Sequence, residues 1–275
     1  MTTSSLNFVV PWRATFNSQV TKLPMPVFTL STVHTPPAPS STNDASSTSV
    51  LAPQPRARTV VFRGFWGDLP HNPHNPAKLN PRQWESDVLC ITTDARMAKV
   101  DELGGDSSGG GGPFEAVFWL PEAMTQWRLR GRGYFLGRDA DDDTGKSNMV
   151  RDKLQRRMRH IRDDCNGEEQ PDVANKHWSW AREVTAHFGN LSPVMRGSFR
   201  NPAPGTPVSD GSGGDGLGQG QIVEDVNDPV ARGNFRVVAL VPDEVDYVDL
   251  SDSSKAKRWV YTAEGCEWET RELWP

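Results

Sequence analysis

The sequence predicts a mainly β protein with flanking helices, an antiparallel barrel or sandwich, and three observations carry that expectation. Short β-branched and aromatic runs recur at residues 27–33, 59–62, 88–93, 114–120, 235–241 and 258–261. The run 126–136 alternates cleanly, with Gln126, Arg128, Arg130 and Arg132 on one face and Trp127 and Leu129 on the other, as a half-buried strand requires. Helical segments are few, and strands joined by hairpins make barrels or sandwiches.

Taken in order, residues 8–20 read as a weakly amphipathic helix or a docking arm. Residues 27–33 and 59–62 are strands whose pairing makes the stretch between them an overgrown turn, since loops lengthen at small entropic cost. A third strand, 88–93, leads into a short helix at about 95–103. Strands at 114–120 and 126–136 follow. A basic helix is expected over 150–162, with Leu154, Met158 and Ile161 as its thin apolar stripe and a solvated face as its default. Residues 178–188 read as a helix with Trp178, Ala181, Val184 or Thr185, and Phe188 on one side. The strand at 235–241 is apolar on both faces and is expected to be central.

At 275 residues the chain holds one large domain or two small ones. Residues 34–55, 104–112 and 201–228 are rich in Pro, Ser, Thr, Gly and Asp, bury too little apolar surface to offset their ordering entropy, and are expected to be mobile. Without them about 200 residues remain, the size of a single domain, so residues 1–275 are expected to form one domain with three insertions. The net charge of −5, with both signs plentiful, argues against a general nucleic-acid binder. Cys90, Cys165 and Cys266 are odd in number and far apart, which suggests neither a disulfide framework nor a zinc site. With a polar N-terminus and no apolar run of membrane-spanning length, a cytoplasmic protein is expected.

Chemistry concentrates around two strands. The segment from Arg56 to Phe65 places Arg58 and Arg63 at the two ends of a β-branched run, and arginine is costly near a core unless an anion meets it. Two solvated strand ends are the simpler reading of that segment alone. In a regular strand the odd spacing points Arg58 and Arg63 to opposite faces, so one ligand meets both only through a bulge, strong twist or a subunit interface. The next strand ends in Thr92, Thr93, Asp94, Ala95, Arg96 and Lys99. Thr93 or Asp94 can N-cap the helix, and Arg96 and Lys99 lie three apart on one helical face. Two hydroxyls, free helix N–H groups and two cations suit a phosphate; an ordinary capped helix explains the same residues locally.

The order of these pieces resembles the pyridoxamine 5′-phosphate oxidase-like FMN-binding split barrels, in the variant called the Alr4036-type FMN-binding domain. The resembling residues are Arg58 to Gly64, Thr92 to Arg96 with Lys99, Phe118-Trp119, and Gln126 to Gly131. Later come Ser192-Pro193, Arg196 to Phe199, Val241 to Tyr247, Arg258 to Tyr261, and the terminal Trp268 and Arg271 to Pro275. The resemblance implies FMN in a cleft between two copies of the chain, a homodimer, and flavin-dependent oxidoreductase activity on a small molecule. It implies that Arg58 holds the polar edge of the ring system. Arg63 and Lys99 would face the phosphate, with a hydroxyl from Thr92 or Thr93 and with Arg96 nearby. Gln126 and Arg258 would contact the flavin, and Ser198 would lie in a flavin-contacting loop. One departure matters: where oxidase members carry an Arg-x-His that grips the B6 substrate, this chain has Ser254 and Ala256. The row Arg128, Arg130, Arg132 could stand in for it as a cationic substitute.

Other candidates carry less. His71 and His74 sit in a proline-broken loop and do not suggest a metal site. His177 and His187 lie on the Trp-rich helix, as a proton carrier or as packing. Cys90 reads as core rather than nucleophile. Trp119 and Trp127 lean on a flavin or pack a core or interface, and glycines 109–112 read as a linker. No side chain stands out as the acid or base. A non-catalytic flavin-binding or flavin-sensing protein, or a non-flavin interaction module on the same barrel, is the alternative function.

Overall fold

The computed structural model describes residues 10–36, 52–104, 111–161, 178–211, 213–265 and 267–275. The greater part of the insertions at 34–55 and 104–112, together with Phe8, Cys165, His177 and Cys266, lies outside the described residues.

The first helix, α1 (Arg13–Val20), buries Trp12 at its start with Phe16 and Val20. Phe16 sets its ring edge-on to Phe62, Phe65, Phe118 and Trp127, with centroids 5.0 to 6.1 Å away. A short helix that is polar on one side is thereby held by what it plugs rather than by its own propensity. Strands β1 (Val27–His34) and β2 (Gln54–Val61) pair antiparallel from Val27↔Val61 to His34↔Gln54, so the expected hairpin forms. Pairing with β1 carries β2 back to Gln54, well before the β-branched run that marks it in the sequence.

Next come β3 (Trp84–Ser86), β4 (Leu89–Asp94), α2 (Ala98–Gly104), β5 (Gly112–Leu120) and β6 (Thr125–Leu136). They are followed by α3 (Gly145–Gln155), β7 (Met158–His160), α4 (Trp180–Gly189), α5 (Pro193–Gly197) and α6 (Pro229–Asn234). The chain closes with β8 (Phe235–Asp249), β9 (Lys257–Glu264) and β10 (Glu267–Leu273). One sheet runs β10-β9-β8-β6-β5-β1-β2, and β4 joins it at β8. Strand β8 pairs with β6 throughout; on its other edge the first half takes β4 and the second half takes β9. Its residues Val237 to Leu240 are fully buried, in keeping with a central strand apolar on both faces.

Alternation divides the sheet. Phe28, Leu30, Ala116, Phe118, Trp127, Leu129 and Val245 face the core that α1 fills. A second core packs β4 and β8 against α3 and α4, through Val88, Cys90, Val184, Phe188, Val237 and Ala239. Between Arg130 and Gly131 the register of β6 against β8 shifts by one residue. A Cβ on Gly131 would lie 1.9 Å from Val241 O, so the bulge requires glycine there.

Four details differ from the sequence expectation. The basic helix ends at Gln155, and Met158 and Ile161 are not part of it: Met158 to His160 turn into a strand against Trp84 to Ser86. The cause is Arg157, whose guanidinium forks onto the buried Asp87, Nε to Oδ1 at 3.0 Å and Nη2 to Oδ2 at 2.8 Å. The short helix starts at Ala98, because the Asp94 carboxylate accepts the Arg96 N–H at 2.8 Å and makes a turn instead of a cap. The terminal segment is a strand, fixed partly by Trp268, whose Nε1 donates to Asp87 Oδ2 at 3.1 Å. The stretch 201–228 does contribute to the core: Val223 is buried, and its carbonyl accepts from Arg196 Nε at 2.8 Å.

Candidate functional site

The ends of β2 and β4 and the start of α2 converge on a cleft of about 900 Å³. Its floor carries Arg63, Thr92, Thr93 and Lys99, and Ser198 lies on the wall opposite. That wall continues through Asn201 and residues 202–208, from the segment that composition marks as low in complexity.

Local chemistry explains how the cations reach the cleft. Strand β2 stops at Val61, and Arg63 N donates to Cys90 O at 2.8 Å, which lashes the chain to β4. Gly64 follows with φ +93°, and a Cβ there would sit 2.3 Å from the Pro70 ring. Arg63 is thus outside the strand's alternation, and its odd spacing from Arg58 needs no bulge. Its Nε is buried without a hydrogen-bond partner, and no carboxylate lies within ion-pair distance among the described residues. Burial lowers its pKa from the usual arginine value. Lys99 Nζ donates to Thr93 Oγ1 at 3.1 Å and likewise has no carboxylate partner at that range. Burial and the Arg58 charge hold the Lys99 ammonium below its ordinary value, against the opposing pull of Glu102 and Asp94. Two partly desolvated cations without counter-ions in one cleft attract an anion.

The carboxylate that lines the cleft is already engaged. Asp94 lines the cleft, but Arg96 grips it with Nε at 2.9 Å and Nη2 at 2.6 Å. Arg96 Nη2 also donates to Asn201 O at 3.0 Å, tying the far wall to the end of β4. Arg96 therefore braces the cleft without lining it.

The other sequence candidates lie elsewhere. Arg58 points into the inner face of the sheet, where it donates to Thr32 Oγ1 and reaches Glu102 Oε2 at 2.5 Å. Burial alone would raise the Glu102 carboxyl, but the hydrogen bonds from Thr32 and Arg58 and the Arg58 charge bring it below its ordinary value. Gln126 and Arg258 stand on the outer face of the sheet, in one cross-strand row through Val248. Arg258 holds Asp246 there, Nε to Oδ1 at 3.1 Å and Nη2 to Oδ2 at 2.8 Å. The geometry of one chain brings together Arg63, Thr92, Thr93, Lys99 and Ser198, and leaves Arg58, Arg96, Gln126 and Arg258 outside the cleft.

Asn201 was not among the sequence candidates. Its Oδ1 is buried without a partner on the cleft wall, an acceptor awaiting a donor. Nothing in a Pro- and Gly-rich segment marks one asparagine, so no sequence signal was present. His187, by contrast, does not line the cleft. It is buried against Trp66, and burial together with the Arg63 charge lowers its pKa to about 3.

Comparison with known proteins follows the same lines. Residues 9–137 match the family model described as pyridoxamine 5′-phosphate oxidase, FMN-binding domain. The yeast Saccharomyces cerevisiae has a relative, the uncharacterised protein YGR017W, 24% identical over 280 residues that cover 82% of this chain and 89% of the yeast protein. Among solved structures, a pyridoxamine 5′-phosphate oxidase-related, FMN-binding protein from Nostoc punctiforme superposes with a TM-score of 0.58 at 22% identity, covering 97% of this chain and 99% of the other. The fold is therefore the split barrel, a mostly antiparallel sheet with flanking helices. No helix among the described residues is long and apolar enough to cross a membrane.

Proposed function

We propose, from the match of residues 9–137 to the family model described as pyridoxamine 5′-phosphate oxidase, FMN-binding domain, that the cleft binds FMN and that the protein is a flavin-dependent oxidoreductase. The observation that carries this reading is the pair Arg63 and Lys99, partly desolvated, without carboxylate partners, and lining one cleft with two threonines. That donor set suits a phosphate dianion, to which cations and hydroxyls give charge-assisted hydrogen bonds. Arg63, Lys99, Thr92 and Thr93 would hold the phosphate. Ser198 and Asn201 stand across the cleft, and Asn201 Oδ1 offers an acceptor to a ligand hydroxyl. When bound, the flavin supplies the hydride and electron chemistry, and the protein supplies orientation and electrostatics.

The residues outside the cleft fit a homodimer. In that arrangement Gln126 and Arg258 approach the flavin from a second copy of the chain. Trp274, 93% exposed beyond β10, and the half-exposed Trp119 offer apolar area for such contact. Arg58 is committed to Glu102, and its charge reaches Lys99 only as a like-charge repulsion that lowers the Lys99 pKa.

The titratable side chains lining the cleft are Arg63, Asp94 and Lys99, and Arg96 neutralises the aspartate. No histidine lines the cleft among the described residues, and no side chain there stands out as the acid or base. Ser254, at the position that matches the family's substrate-gripping arginine, bonds instead to Asp252 through its N–H and hydroxyl. The reading is therefore an altered substrate site.

Purified protein titrated with FMN and with riboflavin tests the proposal. FMN is expected to bind at least tenfold more tightly, because riboflavin lacks the phosphate. Equal affinities would remove the assigned phosphate site, and binding of neither would leave the barrel as a non-flavin module. With FMN bound, steady-state turnover with reduced nicotinamides and amines separates an enzyme from a flavin carrier.

A further inference from the structure

In the turn between β4 and α2, Met97 N donates to Asp94 O at 3.2 Å, which holds the methionine at the lining of the cleft. Its thioether meets the donors Lys99 and Thr93 themselves. Lys99 Nζ donates to Met97 Sδ at 2.7 Å and to Thr93 Oγ1 at 3.1 Å, and Thr93 Oγ1 donates to the same sulfur at 3.4 Å. The other cation of the cleft is placed differently: Met195 Sδ is 4.0 Å from Arg63 Nη2, at the outer limit of such a contact. Met97 is thus the side chain on which two of the phosphate donors converge.

A thioether is a weak acceptor, so an ammonium without a carboxylate partner holds it loosely and releases it to an anion. One added oxygen reverses that balance. A sulfoxide is polar, and its oxygen accepts a charge-assisted hydrogen bond from an ammonium. Tethered to the same turn, that oxygen competes with a free ligand at a high effective concentration. Met97 is half-buried on the cleft lining, and its flexible side chain lets the sulfur withdraw as the oxygen takes its place. Met25 and Met124, 63% and 44% exposed, do not line the cleft, so their oxidation leaves these donors untouched.

We propose that Met97 is an oxidative modification site, converted by hydrogen peroxide to a sulfoxide whose oxygen occupies Lys99 and Thr93 and so closes the cleft to a phosphate. In that step the S–O bond forms as the O–O bond breaks, and the second oxygen leaves as water with both peroxide protons. The sulfur gives up two electrons, and the peroxide takes them. The inference rests on the phosphate site assigned to Lys99 and Thr93. It adds a control of that site by peroxide, the two-electron reduction product of oxygen.

To test it, the full chain, free of flavin, is treated with hydrogen peroxide, quenched with catalase and mapped by peptide mass spectrometry. It is then titrated with FMN and with riboflavin. Sulfoxide is expected at Met97 as well as at Met25 and Met124. FMN affinity should fall at least tenfold and riboflavin affinity only slightly, and the two methionine sulfoxide reductases together should restore both. Met97→Leu, nearly equal in volume, should keep its FMN affinity within twofold across the same treatment. Oxidation of Met25 and Met124 without Met97, a Met97 sulfoxide with unchanged FMN affinity, or an equal loss in Met97→Leu would each overturn the proposal. Failure of the untreated chain to bind FMN would overturn the flavin reading alone, and inorganic phosphate then serves as the calorimetric probe. Its loss after peroxide in wild type but not in Met97→Leu would support the modification; equal loss, or no phosphate binding at all, would overturn it.

Discussion

His187 lies face to face with Trp66, ring centroids 5.9 Å apart and planes 6° from parallel, with its Nε2 buried and unpartnered. The stack continues to Trp180, 5.6 Å from Trp66. Packing of this kind tolerates the neutral imidazole and rejects the cation, which is why the pKa falls to about 3.

That burial fixes the sign of a pH effect. Below the unfolded value of about 6.5 the unfolded chain takes up a proton at His187 that the folded chain refuses, so the stabilisation present above pH 6.5 is lost as pH falls toward 3. Between pH 7 and pH 5 the loss is about 2 kcal/mol, at about 1.4 kcal/mol per unit. His187→Phe keeps the stack and removes the titration. Urea unfolding of both proteins at the two pH values should show the difference in wild type and its absence in the variant. Glu183, whose carboxyl burial raises, acts with the opposite sign in both proteins and cancels in the comparison.

The phosphate assignment predicts a selective loss. Lys99→Met or Arg63→Met should each weaken FMN by about 1.5–3 kcal/mol, the range for a hydrogen bond to a charged group. Riboflavin affinity should change little. Parallel fluorescence titrations measure both, and equal losses for the two flavins would make these residues structural.

Arg96 should act indirectly. Arg96→Met frees the Asp94 carboxylate to face the cleft, and like charge then opposes a phosphate. FMN affinity is expected to fall at least tenfold, and the double variant Arg96→Met with Asp94→Asn should recover most of it. No recovery would mean that the bond from Arg96 to Asn201 O is the part that matters.

Beneath the cleft, Arg58→Met leaves Glu102 buried with Thr32 as its remaining donor. Breaking one partner of a buried pair costs about 3–5 kcal/mol; with Arg58 still 23% exposed, a loss near the lower end is expected in urea unfolding. Because the folded Glu102 carboxyl titrates below its unfolded value, its contribution is present above about pH 4.5 and disappears as pH falls through the folded value.

Turnover of pyridoxamine 5′-phosphate is expected to be poor. Ser254 and Ala256 offer no cation where the family's oxidases grip that substrate, and Ser254 is tied to Asp252 in the turn before β9. An aerobic assay of FMN-loaded protein decides this: turnover of about one per second, the lower end of typical enzymes, would mean that another group grips the phosphate.

The sequence by itself determined the strands and the cations. Local periodicity and β-branching are properties of a few neighbouring residues, so the alternation of 126–136, the apolar strand from Phe235 and the Arg63–Thr92–Lys99 chemistry are legible without coordinates. Tertiary structure alone decided which cation meets which anion. Arg58 and Arg63 look alike in a linear reading, yet the first is spent on Glu102 and the second is left to the cleft, because β2 ends at Val61 and Gly64 redirects the chain. Arg128 and Arg130 likewise share one face of one strand. Their opposite charge balance comes from Glu115, Glu244 and Asp246 on neighbouring strands, brought alongside by the register. Asn201 and the wall it belongs to were invisible for the same reason: a low-complexity segment has no pattern of its own, and its place is set by Arg96 and Arg196, which hold it from outside.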